Sequence, residues 1–246
     1  MTNAGRRMTL AAGLVGASSL VFPWRGIVSN AQAQNNRLRP NGYSVRDRLD
    51  QFGATVRTRL SPHFQQVKVA YPPHSIALIA FKDQWALQVY ARNAGAPWRF
   101  IRHYPVRASS GNLGPKLEEG DHQVPEGIYR ISLLNPNSLF HVSLRLDYPN
   151  TFDRRMAARD GRRELGGDIM IHGRSVSVGC LAMGDEAAED LFTLVADTGL
   201  SNALCIISPV DFRRSECPAP PDNLPQWTPE LYAAIKRELS RYPAVV

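Results

Sequence analysis

Between residues 76 and 146 the chain is cut by turn residues into apolar runs too short for the helices of an all-helical core. The runs are Ile76 to Phe81, Trp85 to Ala91, Trp98 to Tyr104, Gly127 to Leu134 and Leu139 to Leu146. Bounded apolar runs of this length, rich in β-branched and aromatic residues, are strand patterns. In the last of them Phe140, Val142, Leu144 and Leu146 alternate with His141, Ser143 and Arg145. That period of two predicts a half-buried strand with His141 facing solvent, and Asn135-Pro136-Asn137-Ser138 supplies the turn before it. Asp168 to Ile171 and Ala203 to Ser208 read as two further strands, and no internal repeat is visible. The expected body is α+β and mainly β.

Three helical patterns flank or interrupt these strands. Val45, Leu49, Phe52, Val56 and Leu60 form one apolar stripe, which predicts an amphipathic helix from a Ser44 cap to Leu60, weakest at Gly53. Asp185 is the expected N-cap of a second helix that carries Ala188, Leu191, Phe192 and Val195 on one side and stops at Gly199. After the Pro-rich stretch 218–225, Thr228 is the expected cap of a third, with Pro229 at its first position and Leu231, Ile235 and Leu239 at spacing four. Residues 147–167 are an arginine-rich excursion, with Arg154, Arg155, Arg159, Arg162 and Arg163 among Asp153, Asp160 and Glu164. The excursion reads either as a lid that attracts carboxylates or as a solvated surface segment.

The N-terminus changes the meaning of the charge. Arg6 and Arg7 precede the uncharged stretch Met8 to Phe22, and Ala31-Gln32-Ala33 follows as a small-residue cleavage box. This is the layout of a secretory signal peptide, too short and too diluted by Gly, Ser and Thr to be a membrane span. The expected cut follows Ala33, and the paired arginines leave both the general secretory and the twin-arginine routes open. The whole chain carries a formal +7 and a pI near 9.6. Removal of the leader takes Arg6, Arg7 and Arg25 and no acid, which leaves +4. The remainder suits an anionic surface polymer and argues poorly for nucleic acid. The chain divides as leader 1–33, linker and amphipathic helix 34–74, main body 75–212, and Pro-rich linker with C-terminal helix 213–246.

The densest chemistry lies in Ile171-His172-Gly173-Arg174-Ser175-Val176-Ser177-Val178-Gly179-Cys180. A strand delivers His172 to its end, and a Gly- and Ser-rich turn returns the chain to Cys180 just before a helix. Imidazole and thiol then share one loop, as a thiol nucleophile requires. Gly179 permits close approach and leaves the Cys180 N–H as an expected oxyanion donor. The plainer alternative is a small buried cysteine beside a satisfied strand-end histidine. One His and one Cys are half a zinc site, so neither metal nor cofactor is expected. Three cysteines in an exported chain leave one unpaired. The spacing of Cys205 and Cys217 allows a disulfide without requiring one. His63, His74, His103 and His122 carry no pattern.

The segment IMIHGRSVSVGCLAMGDEAAEDLF resembles the core of the L,D-transpeptidase catalytic-domain (YkuD-like) family, in its periplasmic branch with a short His-Gly to Ser-x-Gly-Cys spacing. ASSGNLGPKLEEGDHQVPEGIYRI and SLLNPNSLFHVSLRLDYPNTFDR extend the likeness over roughly residues 75 to 212. The resemblance implies a β-sandwich with peripheral helices and a cysteine acyltransferase of cell-wall biogenesis and cell shape, acting on peptidoglycan stem peptides. It implies Cys180 as nucleophile and His172 as base, with the Gly173 carbonyl orienting the imidazole and Ser177 and Gly179 shaping the oxyanion site. Arg154 and Arg155 are candidate substrate-binding residues from the excursion. Two positions depart from the family pattern: Val178 stands where many members have His, and Ala182 where they have Arg. Both losses fall beside the nucleophile, so a hydrolase that resolves the thioester with water is a second reading. A non-catalytic wall-binding module that keeps the fold is a third.

Overall fold

The computed structural model describes residues 42–215 and 224–245. The expected leader and Cys217 lie outside them. In chain order the elements are α1 (Val45–Arg48), a π-helical turn (Leu49–Gly53), α2 (Ala54–Gln66), β1 (Ser75–Phe81), β2 (Ala86–Arg92), β3 (Arg99–Pro105), β4 (Gly127–Asn135), β5 (Ser143–Leu146), α3 (Thr151–Asp160), β6 (Met170–His172), β7 (Leu181–Ala182), α4 (Asp185–Thr198), a 3-10 turn (Leu200–Asn202), β8 (Ala203–Ser208) and α5 (Thr228–Leu239).

The strands follow the order β3-β2-β1-β8-β4-β5-β6-β7. Two neighbouring pairs are parallel, β1 with β8 and β6 with β7; the rest are antiparallel. β4 belongs to two layers. Gly127 to Arg130 pair with β8, the strand pairs with β5 from Ile131 onward, and the register of that second pairing slips between Ile131 and Leu133. Such a bulge bends the strand and lets one sheet fold over itself. The far edge is then tied back. Arg107 N–H donates to Ala182 O at 2.7 Å and Ala182 N–H to Ala108 O at 3.0 Å, so the chain after β3 borders β7. The result is the expected mainly β, sandwich-like body.

β1 explains how the layers fill. Its run Ile76-Ala77-Leu78-Ile79-Ala80-Phe81 is buried throughout because both faces are covered. Ile76, Leu78 and Ala80 point into a core shared with Leu60, Leu144, Ile171, Leu191, Phe192 and Val195. Ala77, Ile79 and Phe81 point into a second core with Met156, Leu231, Ile235 and Leu239. The helices at the two ends of the chain are therefore packed halves of the cores.

Several local expectations change. The first helix starts at Ser44 as expected, where the hydroxyl accepts from Asp47 N–H and the Asp47 carboxylate accepts from Ser44 N–H. It passes the Gly53 region through the π turn and continues to Gln66, adding Phe64 to the buried stripe. Thr228 does not cap α5: Trp227 occupies that position, and Thr228 Oγ1 is buried without a partner. Asp185 is the first residue of α4 rather than its cap. The strand expected from Leu139 begins only at Ser143, because residues 139–142 form a tight turn with His141 at φ 77°. His141 does not face solvent alone. Its Nε2 lies 2.8 Å from Glu189 Oε1, and its ring borders Phe52. Cys205 is fully buried and unpaired among the described residues, and Cys217, the partner its spacing allows, lies outside them.

Candidate active site

β6 and β7 run parallel, with Ile171 opposite Leu181 and His172 opposite Ala182. Cys180 is therefore delivered immediately before β7, alongside Met170, while His172 closes β6. Both side chains line one cavity of about 420 Å³, together with His122, Leu139, Phe140, Val176, Ser177 and Val178. Apart from the two imidazoles, the thiol and one hydroxyl, its walls are apolar.

His172 is only 2% exposed, and its ring is held on two sides. Nδ1 meets the Gly173 carbonyl at 2.6 Å, and Phe140 stacks on the ring at 4.6 Å between centroids. A carbonyl only accepts, so Nδ1 carries the proton and Nε2 presents its lone pair. Burial lowers the His172 pKa, and the Gly173 carbonyl partly offsets that. The orienting role expected of Gly173 thus has its geometry. Gly173 also has no room for a side chain: a Cβ there would lie 2.5 Å from Asp185 Oδ1 and 2.7 Å from Phe140 O.

Cys180 is half-buried. Its Sγ accepts from Met170 N–H at 3.4 Å and lies 3.8 Å from Asp168 O. Burial raises the thiol pKa, the Met170 N–H opposes the rise, Asp168 adds to it and Lys116 counters it. Burial therefore favours the neutral form of each group, the opposite of the shift that a thiolate–imidazolium pair would show. The imidazole is thereby a free base for the thiol proton.

The turn before Cys180 differs from expectation in its donors. The Cys180 N–H is not free: it donates to Ser177 Oγ at 3.0 Å, and that hydroxyl donates to Cys180 O at 2.6 Å. Gly179 N–H donates to Ser110 Oγ at 2.6 Å. Two hydroxyls thus hold the turn, with Gly179 in the left-handed region at φ 79°. Val178 is 52% exposed at the cavity rim, whereas Ala182 is buried within β7.

Other contributors lie far from the His-to-Cys segment or have no pattern in it. His122 reaches the cavity from the loop between β3 and β4, and Phe140 from the turn before β5. Asp185 accepts Arg174 N–H at 2.8 Å and so fixes the turn after His172. No group of three or more His, Cys, Asp or Glu side chains suited to a metal occurs among the described residues.

The arginine-rich excursion is not one surface. It contains α3, capped by Asn150, and lies along α5. Arg155 and Arg159 both reach Glu230, at 2.6 and 3.1 Å, so Arg155 is turned to the helix rather than to the cavity. Arg162 pairs with Asp160 and donates to Leu117 O. Arg154 is exposed and lines a second cavity whose wall includes Asp168.

Residues 78–210 match the L,D-transpeptidase catalytic domain (YkuD). The chain belongs to that family. It is 32% identical over 117 residues to the Escherichia coli (strain K12) protein named "Putative L,D-transpeptidase YafK", covering 47% of this chain and 45% of that protein. The chain thus spans under half the length of this relative. Among solved structures it is similar to the helical cell shape determining protein Pgp2 of Campylobacter jejuni (22% identity, TM-score 0.46, 55% of this chain and 48% of that one). It is also similar to Bdellovibrio bacteriovorus Bd1075 (22% identity, TM-score 0.40, 70% and 56%).

Proposed function

We propose that the chain is an exported cysteine acyltransferase that acts on peptidoglycan stem peptides through a thioester on Cys180. The observation that carries this reading is the pairing of a buried, Nδ1-anchored His172 with Cys180 on one cavity, in a chain of this family. His172 Nε2 takes the thiol proton as Sγ attacks a stem-peptide carbonyl, and then gives it to the leaving amine. Met170 N–H steadies the negative charge on sulfur. Ser177 Oγ, held between Cys180 N–H and Cys180 O, fixes the turn that shapes the oxyanion site. An amine from another stem then resolves the thioester. The leader ending at Ala33 directs the chain out of the cytoplasm, to the periplasmic side where such stems lie. No described helix is long and apolar enough to cross a membrane.

Hydrolysis is the second reading. Exposed Val178 and buried Ala182 leave no cationic side chain on the walls of the nucleophile's cavity, so nothing in that cavity holds an amine's neighbouring carboxylate against competition from water. The deciding experiment incubates the mature chain and its Cys180→Ala variant with defined muropeptides and identifies products by mass spectrometry. New cross-linked dimers, lost in the variant, support transfer. Shortened or detached stems alone support hydrolysis. Identical muropeptides before and after incubation sink both and leave wall binding.

A further inference from the structure

The alternation that fills the two cores also gathers charge at one end of the sheet. Ala77 and Ile79 of β1 face the core that α5 covers, so Ser75, two residues earlier, lies on that same face. Its cross-strand partner is Arg92. Arg130, two residues beyond Ile128 and opposite Leu204, lies there too. Both arginines thus stand on the α5 face at the point where that helix has ended, and they line a hollow of about 170 Å³ with Trp98, Ser75 and Ser201. The end of the helix contributes Glu238 and Arg241, which neutralise one another at 3.0 and 3.1 Å. Among the described residues neither Arg92 nor Arg130 forms an ion pair.

Two buried donors of this wall also lack acceptors. Arg92 Nε and Trp98 Nε1 are shut away from solvent without a hydrogen bond, and the Arg92 guanidinium lies over the Trp98 ring at 4.5 Å. Trp98 is 9% exposed and packs on Tyr242 at 4.9 Å between centroids, so the indole is held where it is. Buried donors without acceptors destabilise a fold, and native proteins seldom keep them. We infer that the hollow binds a phosphate group, either free in solution or carried on a lipid headgroup. Two uncompensated guanidiniums match the charge of a phosphate monoester at neutral pH, about −1.5 to −2, and its three oxygens accept from Arg92, Arg130 and Trp98 together. A carboxylate brings one charge and two oxygens, and leaves one guanidinium uncompensated. The site is independent of the chemistry at Cys180. The hollow takes in the first residue of β1, whereas the last two border Leu181 at the other end of the strand, roughly 20 Å away.

The test titrates the full mature chain calorimetrically with inorganic phosphate and with acetate, at neutral pH and fixed ionic strength. Phosphate is expected to occupy one site per chain, with acetate weaker by roughly ten-fold, the scale of one hydrogen bond to a charged group. Arg130→Gln, at an exposed position, and Arg92→Lys, which keeps the charge and loses the Nε donor, are each expected to raise the phosphate Kd by about the same factor. Arg154→Ala, in the hollow beside Asp168, is expected to leave it unchanged. Vesicles separate the two sources. Sedimentation with phosphatidic acid vesicles in excess of phosphatidylglycerol vesicles of equal surface charge, reversed by inorganic phosphate, identifies the lipid headgroup. Equal sedimentation with both, unaltered in Arg130→Gln, identifies free phosphate. The site is overturned by any of three results: acetate bound as tightly as phosphate, no saturable phosphate binding, or one phosphate Kd shared by the wild-type chain, Arg92→Lys and Arg130→Gln. A Kd that rises in Arg154→Ala alone also overturns it, because the anion then lies beside Asp168. None of these results touches the reading of Cys180.

Discussion

At the scale of single residues, the site depends on how its two titrating groups are shifted and how its turn is held. Burial lowers the His172 pKa, so the imidazole remains a base to more acidic pH than a free histidine. The acid limb of kcat/KM is expected below the ordinary value near 6.5, and a limb above that value contradicts the geometry. Cys180 is shifted upward, so its thiolate fraction at any pH is smaller than that of a free thiol. Alkylation by iodoacetamide, mapped by peptide mass, is expected to keep accelerating past pH 9 with no plateau near neutrality. Cys205, wholly buried with its thiol also shifted upward, is expected to stay unmodified until the protein unfolds. Ser177→Ala removes the hydroxyl that joins Cys180 N and O. It is expected to lower kcat/KM by roughly ten-fold while circular dichroism is unchanged, the usual scale for one positioning hydrogen bond. That His172 and Cys180 share one loop was legible from their spacing. The direction in which each is shifted was not, because burial sets it and spacing carries no burial.

At the scale of elements, buried charge ties the first helix to the sandwich. Asp190 on α4 is 0% exposed and accepts from Arg59 Nε at 2.8 Å, from Arg59 Nη2, and from Tyr104 OH at 2.8 Å. Arg102 approaches it from β3 at 3.5 Å. Asp190→Ala strands these donors, and breaking a buried pair of this kind costs about 3 kcal/mol. Urea denaturation is expected to show a loss of that order, and a loss under 1 kcal/mol would show that solvent replaces the carboxylate. The sequence marked α4 through its apolar spacing and its Gly199 stop, but nothing in that spacing singled out Asp190. Its partners stand far off in the chain, in α2 and β3. The same reason explains the shortened β5. The alternation from Phe140 to Leu146 predicts one strand, but Phe140 turns to stack on His172 and breaks the period before Ser143.

At the scale of the whole molecule, both faces of β1 must be covered, and α5 covers one of them. Leu231, Tyr232, Ile235, Leu239 and Tyr242 are all buried in the second core. At about 1.5–3 kcal/mol for each large apolar side chain, their burial rivals the total stability of an ordinary domain, roughly 5–15 kcal/mol. A chain ended at residue 224 is expected to be insoluble or to lack a cooperative thermal transition; a soluble, sharply melting product would show α5 to be dispensable. The β-rich body, three of its helices, and the placement of His172 and Cys180 on one loop were legible in the sequence alone, whereas α3 within the arginine-rich excursion was not. Periodicity and turn chemistry are local, and they are written in neighbouring residues. The tertiary structure decided what lies between distant segments: the fold-over at β4, the burial of His172, the two hydroxyls that occupy the donors of its turn, and the split of the arginines between α5 and the hollow beside Asp168. Each of these is set by which surfaces exclude water together, and that depends on contacts between residues far apart in the chain.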